Sequence, residues 1–325
     1  MNSRTSLWRT LALGMLLIFS GALCAQDNYP NRPIRFITPY PPGGSTTYLS
    51  RLVGQKLTEA LGQQVVVDNR GGANTIIGVE ELIKSPPDGY TIFLAGSGQT
   101  GLPYLFRKLP FDILKDLAPV ATIAISPQLL TINSSIPANN LQEFIAYAKS
   151  KPGELNFATS STGGPTHLAA IQFEQLTGAK LQHVPYKGAG PTLIDLIGGR
   201  VQLFFSVPVN VISHIKAGRL RGLAITGGHR LESVPEVPTF AEAGLPGLDI
   251  ETWYGIAAPA ETPKDIINKM SAEVAKILAM PDIQKQLEGQ GMRPIISTPE
   301  QMAALMREEM AKQGQLIKAG HVVMN

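Results

Sequence analysis

The stretch that decides the fold runs from Ile34 to Thr47 and reads IRFITPYPPGGSTT. Its first five residues are mostly apolar and predict a buried strand. The proline- and glycine-rich segment that follows predicts a loop, and apolar residues at helical spacing then predict a helix from about Thr47 to Leu61, before Gly62. A strand, a glycine-rich loop and a helix in this order are typical of α/β folds, which bind ligands outside the carboxyl ends of their strands.

The same alternation of strand and helix continues along the chain to about residue 225 and predicts an α/β fold with largely parallel sheets. Further strands are predicted near residues 65–67, 90–94, 120–125, 129–132, 155–158, 183–184, 203–205 and 220–225. Helices are predicted near residues 77–84, 141–150, 165–176, 191–197 and 209–217. After a last strand at 252–257 only helices follow, near residues 263–278, 282–290 and 299–319.

A strand followed by helices alone suggests that the chain returns to its first sheet and then covers it. We therefore expect the chain to cross between two lobes near residues 120–128 and again near 247–255. The prediction is a discontinuous lobe 1 of residues 26–125 plus 250–325, and a lobe 2 of residues 126–249. Lobes joined by two crossings permit hinge closure around a ligand.

The first 25 residues have the features of a secretory signal peptide. Arg4 and Arg9 lie in a short basic segment without acidic residues, and a run of apolar residues from Leu11 to Leu23 follows it. The run is too short to span a bilayer comfortably, and small residues follow it. We expect this segment to be removed during export, which places the mature protein in the periplasm.

Composition excludes several classes of protein. A single Cys in 325 residues excludes a disulfide scaffold and a Cys-rich metal site. The five His show no spacing typical of a metal site, so we expect neither a metal nor another cofactor. Without Arg4 and Arg9 the chain has 26 basic and 25 acidic residues, a balance that gives no electrostatic footprint for nucleic acid. A monomer is the default expectation.

Four strand ends run into loops that are rich in glycine and small hydroxylated residues. These loops cover residues 39–47, 96–100, 159–166 and 185–191, and two come from each predicted lobe. Each precedes a predicted helix start, where free backbone N–H groups and the helix dipole attract an anion. Turn chemistry explains any one such loop, whereas four at one edge predict a polar cleft.

A catalytic alternative comes from the third loop. Ser160 and Ser161 precede His167, which suggests a serine hydrolase, although no GxSxG motif is present. His167 lies in the first turn of a predicted helix, a position that favours a ligand donor or a packed side chain over a general base. No pair of acidic residues falls on the four loops, so the sequence favours a protein that is not an enzyme.

Motifs along the whole mature chain carry a family resemblance. They include PYPPGG at 39–44, VDNRG at 67–71, PDGYT at 87–91, LPFD at 109–112, HVPYKG at 183–188, PEVPT at 235–239 and WYG at 253–255. With these motifs in this order, the chain resembles the tripartite tricarboxylate transporter receptor family, the Bug-type extracytoplasmic solute-binding proteins. The resemblance implies a fold like that of type II periplasmic binding proteins, with two α/β lobes, mixed and mainly parallel sheets, and a cleft that closes on a small carboxylate.

The resemblance also implies that backbone N–H groups and hydroxyls, rather than a dedicated arginine, hold the carboxylate. By position, the expected ligand contacts are Tyr40, Gly43, Gly44, Ser45, Thr46, Thr47, Ser97, Gln99, Ser160, Ser161, Thr162, Gly163, Thr166, His167, Tyr186 and Ser206. Family members serve membrane permease subunits, and others are thought to present the bound ligand to a signalling receptor; the sequence leaves both partners open.

Two departures from the family pattern bear on the ligand. The family commonly has Asp where this chain has Thr47 and Ser206, so two negative charges are missing near the predicted cleft. An acidic group would hold a ligand ammonium and would repel a carboxylate. The sequence therefore suggests a preference for an anion without an ammonium, such as a di- or aromatic carboxylate, over an amino acid; neutral drift at these positions is the alternative.

Overall fold

The computed structural model describes residues 29–322, so the predicted signal peptide lies outside the described residues. The strands are β1 (Ile34–Thr38), β2 (Val65–Asn69), β3 (Thr91–Gly96), β4 (Leu117–Pro127), β5 (Leu129–Asn133), β6 (Asn156–Thr159), β7 (Gln182–Pro185), β8 (Leu203–Ser206), β9 (Leu220–Ile225), β10 (Glu251–Pro259) and β11 (Arg293–Pro294). The helices up to the end of β7 are α1 (Ser45–Leu61), α2 (Ile76–Ile83), α3 (Ser97–Thr100), α4 (Leu102–Leu105), α5 (Ile113–Asp116), α6 (Leu141–Ser150) and α7 (Pro165–Thr177). Those that follow are α8 (Ala189–Ile197), α9 (Ile212–Lys216), α10 (Lys264–Leu278), α11 (Pro281–Gly289) and α12 (Pro299–Ala319).

The strands form two sheets. The first has the order β11-β4-β10-β3-β1-β2, and the second has the order β7-β6-β8-β5-β9. Both are mixed: β1 runs parallel to β2 and β3, whereas β10 runs antiparallel to β3 and β4. In the second sheet β6 runs parallel to β7 and β8, and β5 runs antiparallel to β8 and β9. Most strands of each sheet thus share one direction, which confirms the predicted α/β class.

Strand β10 ties the chain's last third to the first sheet, because it is inserted between β3 and β4. Its side chains alternate between two cores. Trp253 and Ala257 pack in the cluster that contains Met302 of α12, whereas Tyr254 and Ile256 pack in the cluster that contains residues of α1 and α10. The helices after β10 therefore cover both faces of the first sheet, as the sequence suggested.

The chain changes sheets between β4 and β5, at Pro127 to Leu129, and again between β9 and β10. The predicted boundaries of two hinged lobes stay a prediction. Within residues 29–322, none of the helices combines the length and apolarity needed to cross a bilayer. In the same part of the chain, no group of three or more His, Cys, Asp or Glu is placed to hold a metal ion.

Several elements differ from the sequence-based expectation. Helix α1 begins at Ser45 rather than Thr47, because Gly44 in extended backbone forms its N-cap. The single helix predicted over residues 209–217 is instead a short 3₁₀ turn, Pro208–Asn210, and then α9. Strand β11 and the short helices α3 and α5 were not predicted; each has four residues or fewer, too few to show a periodic pattern.

Candidate functional site

A cavity lies between the two sheets, at the carboxyl ends of β1, β3 and β6. Nine of the residues expected to contact a ligand line it: Tyr40, Gly44, Ser45, Thr46, Ser97, Gln99, Ser160, Ser161 and Thr166. None of the lining residues in the described part of the chain carries a charged side chain. A charged ligand in this cavity would therefore contact only uncharged side chains and backbone groups.

Three helices of nine or more residues begin at this cavity. The first residues of α1 (Ser45 and Thr46), of α7 (Pro165 and Thr166) and of α8 (Ala189) line it. Each helix has a glycine at its N-cap, and no side chain accepts a hydrogen bond from its first turn. Their first-turn N–H groups are thus uncapped by protein side chains, and the positive ends of three helix dipoles meet at one place.

Acidic residues are distributed in a way that supports an anion site. Among the described helices of nine or more residues, α1, α7 and α8 have no acidic residue in the first turn. The other four, α6, α10, α11 and α12, each have one there. An acidic residue in the first turn stabilises a helix through its dipole. Helices α1, α7 and α8 lack this stabilisation, so the positive ends of their dipoles are available to an anionic ligand.

The two sides of the cavity are in contact through glycines. A methyl group built on Gly190 of α8 would lie 2.9 Å from the carbonyl oxygen of Pro42, in the loop after β1. The neighbouring Gly43 has a φ of +99°, which glycine adopts without strain. The loops after β1 and β7 therefore approach each other more closely than side chains at these positions would allow.

Hydroxyl groups on the cavity wall are held in place. The Ser45 and Tyr254 hydroxyl oxygens lie 2.9 Å apart, and the Ser97 hydroxyl accepts a hydrogen bond from the Trp253 backbone N–H at 2.9 Å. Burial raises the pKa of Tyr40, which also lines the cavity, to about 12. Tyr40 therefore remains protonated at neutral pH.

Strand β10 contributes residues that sequence reasoning missed: Thr252, Trp253 and Tyr254 line the cavity. The loops were chosen at the carboxyl ends of strands, but β10 runs antiparallel to β3, so its first half lies beside the end of β3, with Tyr254 opposite Gly96. The WYG motif was the available signal. Trp253 is 2% exposed, and its indole Nε1 has no hydrogen-bond partner among the described residues.

Seven of the expected contact residues do not line this cavity, and their contact with a ligand stays a prediction. Gly43 and Thr47 line a groove that shares Gly44 and Asn210 with the cavity, and Thr162 and Tyr186 line a second chamber beside the cavity. The Tyr186 hydroxyl donates to Asp195 at 2.7 Å. The other three, Gly163, His167 and Ser206, line none of these three spaces: the cavity, the second chamber or the groove.

Helix rotation explains Thr47 and His167. Each is the third residue of a helix whose first residue lines the cavity, so its side chain points about 200° around the helix axis from that residue. The Thr47 hydroxyl accepts from the Asn69 amide at 3.0 Å. Ser206 is turned inward for a different reason: its buried hydroxyl accepts a hydrogen bond from the Asn210 side chain at 3.0 Å.

The environment of His167 does not support the hydrolase hypothesis. His167 stacks on His183, with ring centroids 4.0 Å apart, and its Nδ1 accepts a hydrogen bond from the Gly163 N–H at 3.0 Å. Burial, with a smaller effect of His183, lowers the pKa of His167 to about 3. The only hydroxyl contact of Ser160 among the described residues is Thr166, at 3.5 Å. Neither Ser160 nor Ser161 is hydrogen-bonded to this imidazole.

Known proteins resemble this chain over nearly its whole length. The model of the tripartite tricarboxylate transporter family receptor matches residues 49–322. Protein BugT of Bordetella pertussis is 36% identical over 316 residues, which cover 95% of this chain and 97% of BugT. The solved structure of Rpa4515 from R. palustris with adipate is 32% identical, covers 91% of this chain and 100% of its own, and has a TM-score of 0.88. MatC from Rhodopseudomonas palustris with bound malate is 29% identical, covers 89% and 100%, and has a TM-score of 0.84.

Proposed function

The chain belongs to the tripartite tricarboxylate transporter receptor family, and from this membership we propose that it is a periplasmic solute-binding protein that captures a small carboxylate between its two sheets. The observation that carries the proposal is the meeting of α1, α7 and α8 at one cavity, with glycine N-caps and no acidic residue in the first turn of any of them. Backbone N–H groups at helix N-termini bind carboxylates without a cationic side chain.

The cavity wall supports an acid that lacks an ammonium group. An ammonium in a partly buried site needs a carboxylate or several acceptors to replace its water. No Asp or Glu lines the cavity in the described part of the chain. The related structures that hold adipate and malate support a carboxylate as the ligand class. We therefore propose an organic acid rather than an amino acid.

We propose that the nine lining residues expected from the sequence contact the ligand, together with Trp253 and Tyr254. Loops from both sheets contribute, so the site is complete only when the two halves are together. In this proposal residues 26–125 plus 250–325 and residues 126–249 act as two lobes that close on the ligand. The closed form would then be recognised by membrane permease subunits, or by a sensor domain if the protein signals.

The first test is a ligand screen by melting temperature, with each acid matched to its neutral amide and to its amino derivative: succinate with succinamide and aspartate, adipate with adipamide and 2-aminoadipate. A ligand at a hundredfold excess over Kd stabilises the bound form by about 2.7 kcal/mol, which raises Tm by several degrees. We expect the largest shift with an acid, a smaller one with its amino derivative and none with the amide. Equal shifts with an acid and its amide would contradict the proposal.

A pair of variants tests the helix N-termini directly. Gly44→Asp would place a carboxylate at the N-cap of α1, where it would accept the first-turn N–H bonds and repel an anion. Gly44→Asn has the same size and caps the same groups without charge. We expect the Asp variant to bind the best acid of the screen at least tenfold more weakly than the Asn variant, with both folded. Equal affinities would show that helix-end electrostatics do not hold the ligand.

A further inference from the structure

The loop between β2 and α2 joins the two sides of the cleft beside the cavity. Residues 72–75, here called the bridging loop, line the second chamber opposite residues of the loops after β6 and β7. The Asn74 side-chain amide donates a hydrogen bond to the Thr162 carbonyl oxygen at 2.9 Å. Because β2 belongs to the first sheet and β6 to the second, this bond exists only while the two sides are together.

Three consecutive residues of the bridging loop have a backbone conformation that residues other than glycine rarely adopt. Ala73, Asn74 and Thr75 have φ values of 44°, 52° and 79°, in the left-handed region. Asn tolerates this region better than most residues, whereas a β-branched residue such as Thr is an outlier there. Conformations of this kind persist only where the surrounding structure holds them, and they cluster at ligand clamps and switch regions. The bridging loop is therefore strained in this structure.

The side chain of Thr75 adds a second unfavourable contribution. Thr75 is 2% exposed, and its hydroxyl has no hydrogen-bond partner among the described residues. A hydroxyl buried in this way has given up its hydrogen bonds to water without a replacement. Both the backbone and the side chain of Thr75 therefore make the observed arrangement less favourable than a relaxed and hydrated one.

The hydrogen bond within the bridging loop does not require the left-handed form. The Thr75 backbone N–H donates to the Gly72 carbonyl oxygen at 3.0 Å, which closes a four-residue turn. A type I turn makes the same bond with negative φ at both central residues, and it suits most residue types. The bond from Asn74 to the Thr162 carbonyl oxygen comes instead from the opposite side of the cleft. The strained form is thus supported from outside the loop.

We propose that the bridging loop is a strained latch, which adopts its left-handed form when the two sides close around a ligand and relaxes when they separate. Its strain opposes closure, so this chain binds its ligand more weakly and releases it faster than the contacts in the cavity alone would allow. The inference rests on the proposed function, because it requires a ligand that is held between the two sides. It adds a residue-level control of release that the proposed function does not contain.

The test relieves the strain with glycine, which adopts a positive φ without cost. We expect Ala73→Gly to bind the best acid of the screen about two- to fivefold more tightly than the wild type, and Thr75→Gly about three- to tenfold, by isothermal titration calorimetry. The gain should appear mainly as slower dissociation. Stopped-flow fluorescence can follow release, because Trp253 lines the cavity and is the only Trp after residue 25.

Ala279→Gly is the matched control for Ala73→Gly. Both alanines are exposed, but Ala279 has a φ of −80°, so glycine there adds the same flexibility and relieves no strain. Its affinity and release rate should equal those of the wild type. The free forms of Ala73→Gly and Thr75→Gly should melt no higher than the wild type, because the loop is relaxed without ligand and glycine raises the entropy of the unfolded chain.

Affinities of Ala73→Gly and Thr75→Gly that do not exceed that of Ala279→Gly would overturn the latch and leave the proposed function standing. A raised Tm of both free variants with unchanged affinity would overturn it for a stated reason, since the loop would then be strained in the free protein as well. Absence of binding by every acid of the screen, in the wild type and in the variants, would instead refute the proposed function.

Discussion

Replacing Gly190 by alanine tests whether binding requires the two loops to meet. Gly190 is the second residue of α8, and its nearest neighbours across the cleft are the Pro42 carbonyl oxygen and the backbone of Gly43. All of these neighbours belong to the loop after β1, on the other side of the cleft. In a form with the halves apart, an added methyl group would meet nothing there.

The size of the effect follows from the contact distance. The alanine methyl would lie 2.9 Å from the Pro42 carbonyl oxygen, closer than ordinary van der Waals contact, so the loops must separate by about half an ångström. Overpacking of this kind costs about 1–3 kcal/mol. Since about 1.4 kcal/mol corresponds to tenfold in affinity, the ligand should bind about 5- to 150-fold more weakly.

The assay is isothermal titration calorimetry with the acid that gives the largest thermal shift in the screen. Gly228→Ala is the matched control, because a methyl group there meets no atom within 4 Å. The free Gly190→Ala protein should melt no lower than the wild type, since alanine is a better helix former than glycine. Stability and affinity should therefore change independently.

Wild-type affinity in Gly190→Ala, within twofold of the Gly228→Ala control, would refute the reasoning. It would mean that the ligand is held without close contact between the loops after β1 and β7. A loss of affinity accompanied by an equal loss of stability in the free protein would also contradict it, because the methyl group would then disturb α8 itself.

Three further predictions concern the wall and its surroundings. Burial lowers the pKa of His167 to about 3 and that of His183 to about 4, from an ordinary 6.5, so between pH 6.5 and pH 4 the unfolded chain binds more protons than the folded one. The free energy of unfolding measured in urea should therefore fall as the pH is lowered from about 6.5 toward 4. His183→Gln should make this fall with pH less steep. Asn74→Gly keeps the left-handed backbone but removes the bond to the Thr162 carbonyl, so the best acid should bind about 2- to 12-fold more weakly at unchanged Tm, whereas full affinity would show that this bond does not support the site. Activated esters should show no turnover above background with the wild type; turnover that disappears in Ser160→Ala would restore the hydrolase hypothesis.

The sequence predicted elements well where the signal is local. Strand β1 and helices α6 and α12 were placed with their observed bounds, because each shows a clear apolar pattern between strong end signals. Pro165 at the first position of α7 was also predicted, since proline lacks the N–H that this position leaves unpaired. Strand β11 lacks such a signal: its two residues form a strand only by pairing with Ala124 and Ile125, far away in the chain.

The site was predicted in part for a related reason. The composition of the strand-end loops predicted which of them reach the cleft. It did not predict in which direction each side chain points in the first turn of the helix that follows. Thr46 and Thr166 line the cavity, while Thr47 and His167 come one residue later and turn away. The positive φ of Thr75 had no sequence signal, because threonine is among the residues that rarely adopt it. The unpaired hydroxyl there could be found only from coordinates.

The residues that line the cavity in the described part of the chain carry no charged side chain, and this bears on how a bound acid would be released. The attraction between an amide dipole and an anion depends on direction and weakens quickly with distance. The attraction of a lysine or arginine charge extends over several ångströms in every direction. One uncapped helix end, that of α1, follows a strand of the first sheet, and two, those of α7 and α8, follow strands of the second. Separation of the two sheets by a few ångströms would therefore take a bound anion out of reach of at least one of the three helix ends.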